Sequence, residues 1–344
     1  MIEKILLIRF SSFGDVTQTL SVPTKLKKLN AEVHWATRED MSPLIQGHPW
    51  VDKIHTLDKR SGVSGLIKFI LKLRAEKYSR IYDAHNNLRS HLICFFLRFP
   101  LDISRVFSQP KLVRTSQKRI KRFLLFNLRI NTYKMPFSGQ RDLLEPLTEW
   151  GIDDTLPPAP QIKIQDTSMK KIEAFLNDKN IKSFYALAPS AAFILKRWPV
   201  KHWIELIQKM PRENFVILGG PEDTFINEIA KSDPDRVFNL AGQCTLQDSA
   251  AVVFLSKALV SNDTGVLHLG EQLGKKTIAL MGPAPFGFPS RPSTRILQRN
   301  LDCRPCSKHG QGPCKNKIFH ECLESILPDE VCQQLTTMDE IEHV

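Results

Sequence analysis

Asp15 is the first residue of this 344-residue chain whose type and position could do chemistry. It closes the run Ser11-Ser12-Phe13-Gly14-Asp15, directly after the apolar segment Lys4–Arg9. KILLIR reads as a strand buried in a parallel sheet. Open α/β sheets place functional groups at the carboxyl end of the first strand. A carboxylate there could take a proton from a hydroxyl. The same residue also suits the positive end of a following helix. The sequence alone leaves both roles open.

A second constellation lies in Val260–Gly274, VSNDTGVLHLGEQLG. A buried strand runs into Asn262-Asp263-Thr264-Gly265 and then into a helix bearing His268. Asp263 or Thr264 can cap that helix. The amides of Thr264, Gly265 and Val266 would point at an anion such as a diphosphate. The plainer reading is a capped turn with His268 on the helix surface. Upstream, Ala188–Pro199 (APSAAFILKRWP) ends a strand and carries Ser190, Lys196 and Arg197 in the loop. A lysine there meets phosphate as a point charge, or it is one half of a surface basic pair. Glu222 in Gly219-Gly220-Pro221-Glu222 offers a carboxylate to ribose hydroxyls, unless the segment is a plain strand-to-helix turn. No G-x-G-x-x-G follows the first strand, and no G-x-x-x-x-G-K-[ST] occurs, which disfavours dehydrogenase and P-loop chemistry.

Four of the seven cysteines fall in twenty residues: Cys303, Cys306, Cys314 and Cys322, with His309 and His320 among them. The pattern C-x2-C-x7-C-x7-C suits a closed tetrahedral site for a structural zinc or iron, with no catalytic role. The alternative is a set of reduced thiols that pack a loop.

The elements that must position these residues alternate strand and helix, the mark of a doubly wound α/β fold. In the first half the pattern predicts helices over 16–29 and from 41–46, a strand over 78–83, and helices over 64–76 and 87–98. Gly151–Pro160 (GIDDTLPPAP) reads as a linker. A second series of strands and helices follows it. The domain limits expected are 1–155, 160–325 and a helical tail over 326–344.

The net charge of +12 is one-sided. Residues 1–150 hold 26 Lys and Arg against 13 Asp and Glu, a balance of +13. Such a field steers an anionic partner to one half of the molecule. The densest patch is Lys111, Arg114, Lys118, Arg119, Lys121 and Arg122; Lys59, Arg60 and Arg89 lie nearer the first strand's end. A nucleic-acid-binding protein is the alternative from another class, but few aromatics interleave the basic patch and no nucleic-acid motif appears. No apolar run approaches the roughly 18–20 residues of a membrane span. The N-terminus lacks a signal-peptide core. A cytoplasmic protein, peripheral at the inner face of a membrane, is expected.

Five segments, in order, resemble the ADP-heptose:lipopolysaccharide heptosyltransferases of glycosyltransferase family 9. They are IRFSSFGDVTQTL, DAHNNLRSHL at Asp83–Leu92, PSAAFILKRWP, LGGPEDT, and NDTGVLHLGEQLG with the following GPAPFGFP. The resemblance implies a GT-B fold of two Rossmann-like domains facing across a cleft. It implies an inverting transfer of heptose from ADP-heptose to an acidic, phosphorylated glycolipid, with no cofactor needed for catalysis. Asp15 would be the general base. Ser190, Lys196, Glu222, Asp263, Thr264, Gly265 and His268 would bind the donor. Ser11, Ser12, Lys59, Arg60 and Arg89 would face the acceptor. Another nucleotide sugar or a protein acceptor on the same fold is the nearest alternative. The chain departs from the family pattern at Pro189-Ser190, where Pro-Gly is frequent, and at Gly270-Glu271-Gln272, where the helix usually reads HLAAALG. Some related protein heptosyltransferases hold iron in a four-cysteine finger.

Overall fold

The computed structural model describes residues 2–99, 109–134 and 137–340. In chain order its strands are β1 (Lys4–Ile8), β2 (Glu32–Arg38), β3 (Lys53–Leu57), β4 (Arg80–Asp83), β5 (Lys111–Arg114), β6 (Phe184–Ala188), β7 (Asn214–Ile217), β8 (Val237–Asn239), β9 (Leu259–Asn262), β10 (Thr277–Met281) and β11 (Thr294–Gln298). The α-helices are α1 (Phe13–Thr19), α2 (Ser21–Leu26), α3 (Gly62–Ala75), α4 (Leu88–Arg98), α5 (Arg119–Asn127), α6 (Gly139–Leu144), α7 (Asp166–Asp178), α8 (Val200–Lys209), α9 (Ile226–Lys231), α10 (Leu246–Leu255), α11 (Gly265–Leu273), α12 (Glu321–Glu324) and α13 (Pro328–Glu340). They form two compact units, Met1–Lys118 with Gln140–Lys163, and Arg119–Gly139 with Ile164–Val344.

The sheet of the first unit has the order β3-β2-β1-β4-β5 with every pairing parallel. This is half of a doubly wound fold, and the winding reverses between β1 and β4. Helices cover both faces, so a continuous apolar strand such as KILLI is stable there. Ile5, Leu6, Leu7 and Ile8 are all fully buried. The sheet of the second unit runs β11-β10-β9-β6-β7-β8, again all parallel, and reverses between β6 and β9. Its core joins Tyr185, Trp203, Phe215 and Val260 to Val331, Leu335 and Met338 of α13.

Several expectations change. The helix predicted over 16–29 is three pieces, α1, α2 and a 3-10 turn at Lys27–Leu29. The helix predicted from 41–46 is a 3-10 turn at Glu39–Leu44 with Pro43 inside it. A proline lacks the amide that an α-helical interior needs. The Gly151–Pro160 linker is tied down rather than free: buried Lys25 binds Asp153 and lies 2.7 Å from Thr155 Oγ1. Residues 119–139, read in the sequence as part of the N-terminal half, pack with the second unit, where the rings of Phe126, Tyr133 and Phe137 lie 5.3–6.1 Å from that of Phe286.

The residues of the basic patch fall in both units. Lys111 and Arg114 belong to β5, and Arg114 Nε lies 3.1 Å from the buried Asp83. Lys118 sits 2.5 Å from both Asp142 and Glu145. Arg119, Lys121 and Arg122 are in α5 of the second unit, with Arg122 5.1 Å over the Phe286 ring.

Candidate active site

Each unit brings its candidate residues to the point where its winding reverses. In the first unit, Ile8 of β1 pairs with Asp83 of β4, and the chain beyond each strand forms the site. The Ser11–Ser12 peptide is cis. Asp15 is the third residue of α1, and its side chain reaches back to the cap residue Ser12. Its Oδ2 accepts from the Ser12 amide at 3.1 Å and hydroxyl at 2.9 Å, and lies 2.6 Å from Arg9 Nη2. Arg9 in turn donates to the Ala84 carbonyl beyond β4. All of these contacts fall on Oδ2; Oδ1 has no protein partner among the described residues.

The Asp15 side chain is 47% exposed, enough for a hydroxyl to reach it. Desolvation pushes its pKa up, but the Arg9 charge and the Ser12 bonds outweigh this and hold the carboxyl below its usual range. The bonds that hold the helix start therefore fall on one oxygen, and a proton acceptor there would use the other. Ser11, half-buried, and Ser12, exposed, flank it. Arg89 lies 6.0 Å over the Phe10 ring at the same end of the sheet. Lys59 and Arg60 are exposed on the loop after β3, and Arg60 pairs with Asp58 at 3.8 Å.

In the second unit, Ala188 of β6 pairs with Ser261 of β9. The next residue, Asn262, is fully buried. Its Nδ2 donates to the Pro189 carbonyl at 2.7 Å and its Oδ1 accepts from the Trp198 amide at 3.1 Å. One side chain thus pins both ends of the loop that carries Ser190 and Lys196. Within that loop the Ser190 hydroxyl donates to Asp223, which also accepts from the Gly220 amide at 2.9 Å. Arg197 reaches Asp223 Oδ1 at 3.3 Å and stacks 4.5 Å over Phe225. Ser190 is therefore a brace between two loops. Glu222 is exposed, and its carboxylate folds over Gly220, where a Cβ would stand 2.7 Å from Oε1.

Lys196 ends a 3-10 turn and places Nζ 2.6 Å from Asp263 Oδ2. Two glycines make room for this pair. A Cβ at Gly287 would stand 1.9 Å from Asp263 Oδ1, and one at Gly310 would stand 2.6 Å from Lys196 Cγ. Thr264 is the cap of α11, its Oγ1 accepting from the Val266 amide at 3.1 Å. This corrects the expectation that all three amides there await an anion: the cap takes Val266, leaving Thr264 and Gly265 at the mouth of the helix.

His268 is buried and not on the helix surface. Its Nδ1 is 3.0 Å from Glu271 Oε2. Glu271, the departure from the family pattern, is fully buried and also accepts from the amides of Ser290 and Arg291. It anchors the loop after β10. A buried carboxylate is stable only with such partners.

The cysteine segment does not form a closed ligand set. Cys303, Cys306, Cys314 and Cys322 influence one another electrostatically. Yet no three of their sulfurs lie within 4.8 Å of one another among the described residues. Burial pushes the Cys322 thiol up to about 11 and raises Cys306 as well, with the neighbouring thiols adding to both. The segment instead supports the loop that carries Lys196. Buried His320 meets the Leu195 carbonyl through Nε2 at 2.9 Å, and Gly310 packs on Lys196. Among the described residues, one group of side chains does gather donor atoms closely: His34, His55 and Glu76. There Lys4 and Lys53 already hold both oxygens of Glu76, at 3.0 and 2.5 Å, so it reads as a buried polar network.

Sequence reasoning missed Arg9, Asn262, Asp223 and the two glycines. Arg9 was within reach, six residues before Asp15. The partners of Asn262 lie 64 and 73 residues away, and no local signal marks them.

Comparisons with known proteins show the family and the fold. A family model described as glycosyltransferase family 9 (heptosyltransferase) matches residues 66–317. Lipooligosaccharide heptosyltransferase 2 of Haemophilus ducreyi is 27% identical over 97% of this chain and 99% of its own length. A family 9 glycosyl transferase from Veillonella parvula superposes with a TM-score of 0.79 at 18% identity, covering 98% of this chain and 97% of the other. E. coli ADP-heptose lps heptosyltransferase II superposes with a TM-score of 0.70 at 22% identity, covering 99% and 100%. The fold is that of these two-domain transferases, and the chain belongs to glycosyltransferase family 9, the heptosyltransferases.

Proposed function

We propose that this family 9 glycosyltransferase moves a heptose from ADP-heptose to an inner-core sugar of lipopolysaccharide, with inversion at the anomeric carbon. The acceptor oxygen forms the new bond to the anomeric carbon, and the bond from that carbon to the diphosphate oxygen breaks. The acceptor proton passes to Asp15 Oδ1, and ADP leaves with the electron pair. Oδ2 stays bound to Arg9 and Ser12 throughout, so the base keeps its position while it changes charge. No cofactor enters this step.

On the donor side, Lys196 turns from Asp263 to the diphosphate as the point charge, and the Thr264 and Gly265 amides take up the charge that develops on the leaving group. Glu222 holds the ribose hydroxyls. Asp263 stays near the sugar, and His268 acts through its bond to Glu271 by fixing the helix that carries those amides. The carrying observation is that Lys196, Asp263 and the mouth of α11 converge where the winding of the second sheet reverses. Relatives named as lipopolysaccharide or lipooligosaccharide heptosyltransferases support the choice of sugar and acceptor.

An acidic glycolipid acceptor places the enzyme at the cytoplasmic face of a membrane. No helix among the described residues is long and apolar enough to cross one. Zinc or iron at Cys303, Cys306, Cys314 and Cys322 would require those loops to close further; elemental analysis of purified protein decides whether they do.

The test is calorimetric titration with ADP, GDP, UDP and NADH, followed by a transfer assay. Selective ADP binding that weakens in Lys196→Ala supports the reading. Selective UDP or GDP binding replaces the donor sugar. No nucleotide binding by folded protein overturns the reading. The nucleic-acid alternative loses support, since the residues of the basic patch fall in both units and two of its six cations pair with carboxylates.

A further inference from the structure

Two helices of the first unit carry apolar side chains that no core uses. On α3, Val63, Ile67 and Leu71 recur every fourth residue and are 75%, 54% and 60% exposed. The opposite stripe of the same helix, Phe69, Ile70 and Leu73, is buried. On α4, Leu88 and Leu92 lead into Phe95, Phe96 and Phe99, the three aromatics being 57%, 45% and 47% exposed. The Phe95 ring meets that of Phe96 edge-on at 5.3 Å and that of Phe99 at a tilt at 5.6 Å, and the three form one ledge. Scattered exposed hydrophobics need no explanation, but two aligned stripes on adjoining helices form a patch that does.

The helices act as one platform. They pack on each other, and Arg74 of α3 donates to the Phe96 and Phe99 carbonyls at the end of α4. Neither helix contains a carboxylate, while Lys68, Lys72 and Arg89 stand exposed among the apolar residues. A groove of about 550 Å³ opens beside α4, lined by Leu92, Phe95, Phe99 and Leu112 together with Arg98 and Arg114. An apolar protein partner would not select for cations without a single anion. A lipid surface with negative head groups selects for both, since apolar side chains enter the acyl boundary and lysines and arginines stay with the phosphates.

We propose that the exposed face of α3 and α4 docks this enzyme onto an anionic phospholipid bilayer. This goes beyond the transfer reaction and uses none of its catalytic or donor-binding residues. α4 begins just beyond β4, beside the strand that leads to Asp15, so docking brings the glycolipid head group to the same end of the sheet as the base.

The test is co-sedimentation of the full chain with vesicles of phosphatidylglycerol and phosphatidylethanolamine, with phosphatidylcholine vesicles as the neutral control. Binding to the anionic vesicles should exceed that to the neutral ones by about tenfold or more. A triple Phe95→Ser, Phe96→Ser, Phe99→Ser variant and a double Lys68→Glu, Lys72→Glu variant should each lose about tenfold in binding. Both should keep the wild-type thermal midpoint, gel-filtration position and ADP affinity. Equal vesicle binding by the variants, equal binding to neutral vesicles, or no binding at all overturns the proposal. So does a change of oligomeric state in the variants, which would make the patch an interface between copies. ADP affinity is read separately, so failure of the donor assignment and failure of the docking surface give different results.

Discussion

Lys196 and Asp263 form a close ion pair, Nζ to Oδ2 at 2.6 Å, at the carboxyl ends of two strands that neighbour each other in the sheet but stand more than sixty residues apart in the chain. On the proposed reading a diphosphate would compete with Asp263 for the lysine. Lys196→Ala should weaken ADP binding by about 10- to 100-fold, the range of a charge-assisted hydrogen bond. Asp263→Asn should tighten ADP binding, since it removes that competitor, while slowing transfer. Calorimetry with ADP and a single-turnover assay separate the two effects, and unchanged ADP affinity in Lys196→Ala would sink the assignment.

Gly287 and Gly310 set the position of that pair. Gly287→Ala drives a methyl to 1.9 Å from Asp263 Oδ1. Gly310 lies at φ +86, which strains any other residue, and its added Cβ meets Lys196 Cγ at 2.6 Å. Each substitution should raise the Kd for ADP by about tenfold with a smaller loss of stability. Gly312, also at positive φ with nothing within 4 Å, is the control: Gly312→Ala should leave ADP binding intact.

Asn262→Ala removes two buried hydrogen bonds and leaves the Pro189 carbonyl and Trp198 amide unpaired. The cost should be about 2–4 kcal/mol. Thermal or urea denaturation reads it directly. Asn262→Asp keeps the acceptor for Trp198 but opposes a carboxylate to the Pro189 carbonyl, and should be at least as destabilising.

Asp15→Asn should retain ADP affinity within about twofold and lose about 10²- to 10⁴-fold in kcat. The pH dependence gives a second test. Arg9 holds the Asp15 carboxyl down, so Arg9→Gln should raise its pKa and move the acid limb of kcat/KM to higher pH. A limb that stays in place would mean that another group is the base.

His48 gives a stability test away from the site. It is buried, accepts from the Trp50 amide through Nδ1 and meets the Leu20 carbonyl through Nε2. Burial pushes its pKa down to about 4 from an ordinary 6.5. The unfolded chain therefore binds the proton more tightly. The stabilisation is complete above pH 6.5 and falls toward pH 4, by up to about 1.4 kcal/mol per pH unit. His48→Gln should flatten the fall in thermal midpoint between pH 7 and 5; an identical slope would show that His48 does not titrate there.

The two reversal points were legible in the sequence because each is built from a short motif. Buried strands such as KILLI and LVSN end at once in a small or polar loop, and both facts are local. β5 was hidden by its composition: KLVR reads as a basic patch until Asp83 is found beneath Arg114. β3, KIHTL, alternates too weakly to stand out, although His55 and Leu57 are buried. What escaped altogether was the bracing. The bonds from Asn262 to both ends of the Lys196 loop, and the fit of Gly287 against Asp263, depend on which strands become neighbours. The order of the sheet decides that, and no window along the chain contains it.

The path of residues 119–139 has a consequence for how the protein is made. This segment leaves the ribosome early, but Phe286, the ring its aromatics surround, follows about 150 residues later. At roughly 5–20 residues per second the delay is on the order of ten to thirty seconds. Throughout that interval Phe126, Tyr133 and Phe137 lack the Phe286 ring, and only Tyr133 and Phe137 have each other, 5.7 Å apart in the folded unit. A gene fragment beginning at residue 164 never supplies them at all, so the second unit expressed that way would emerge with Phe286 bare and a tendency to aggregate.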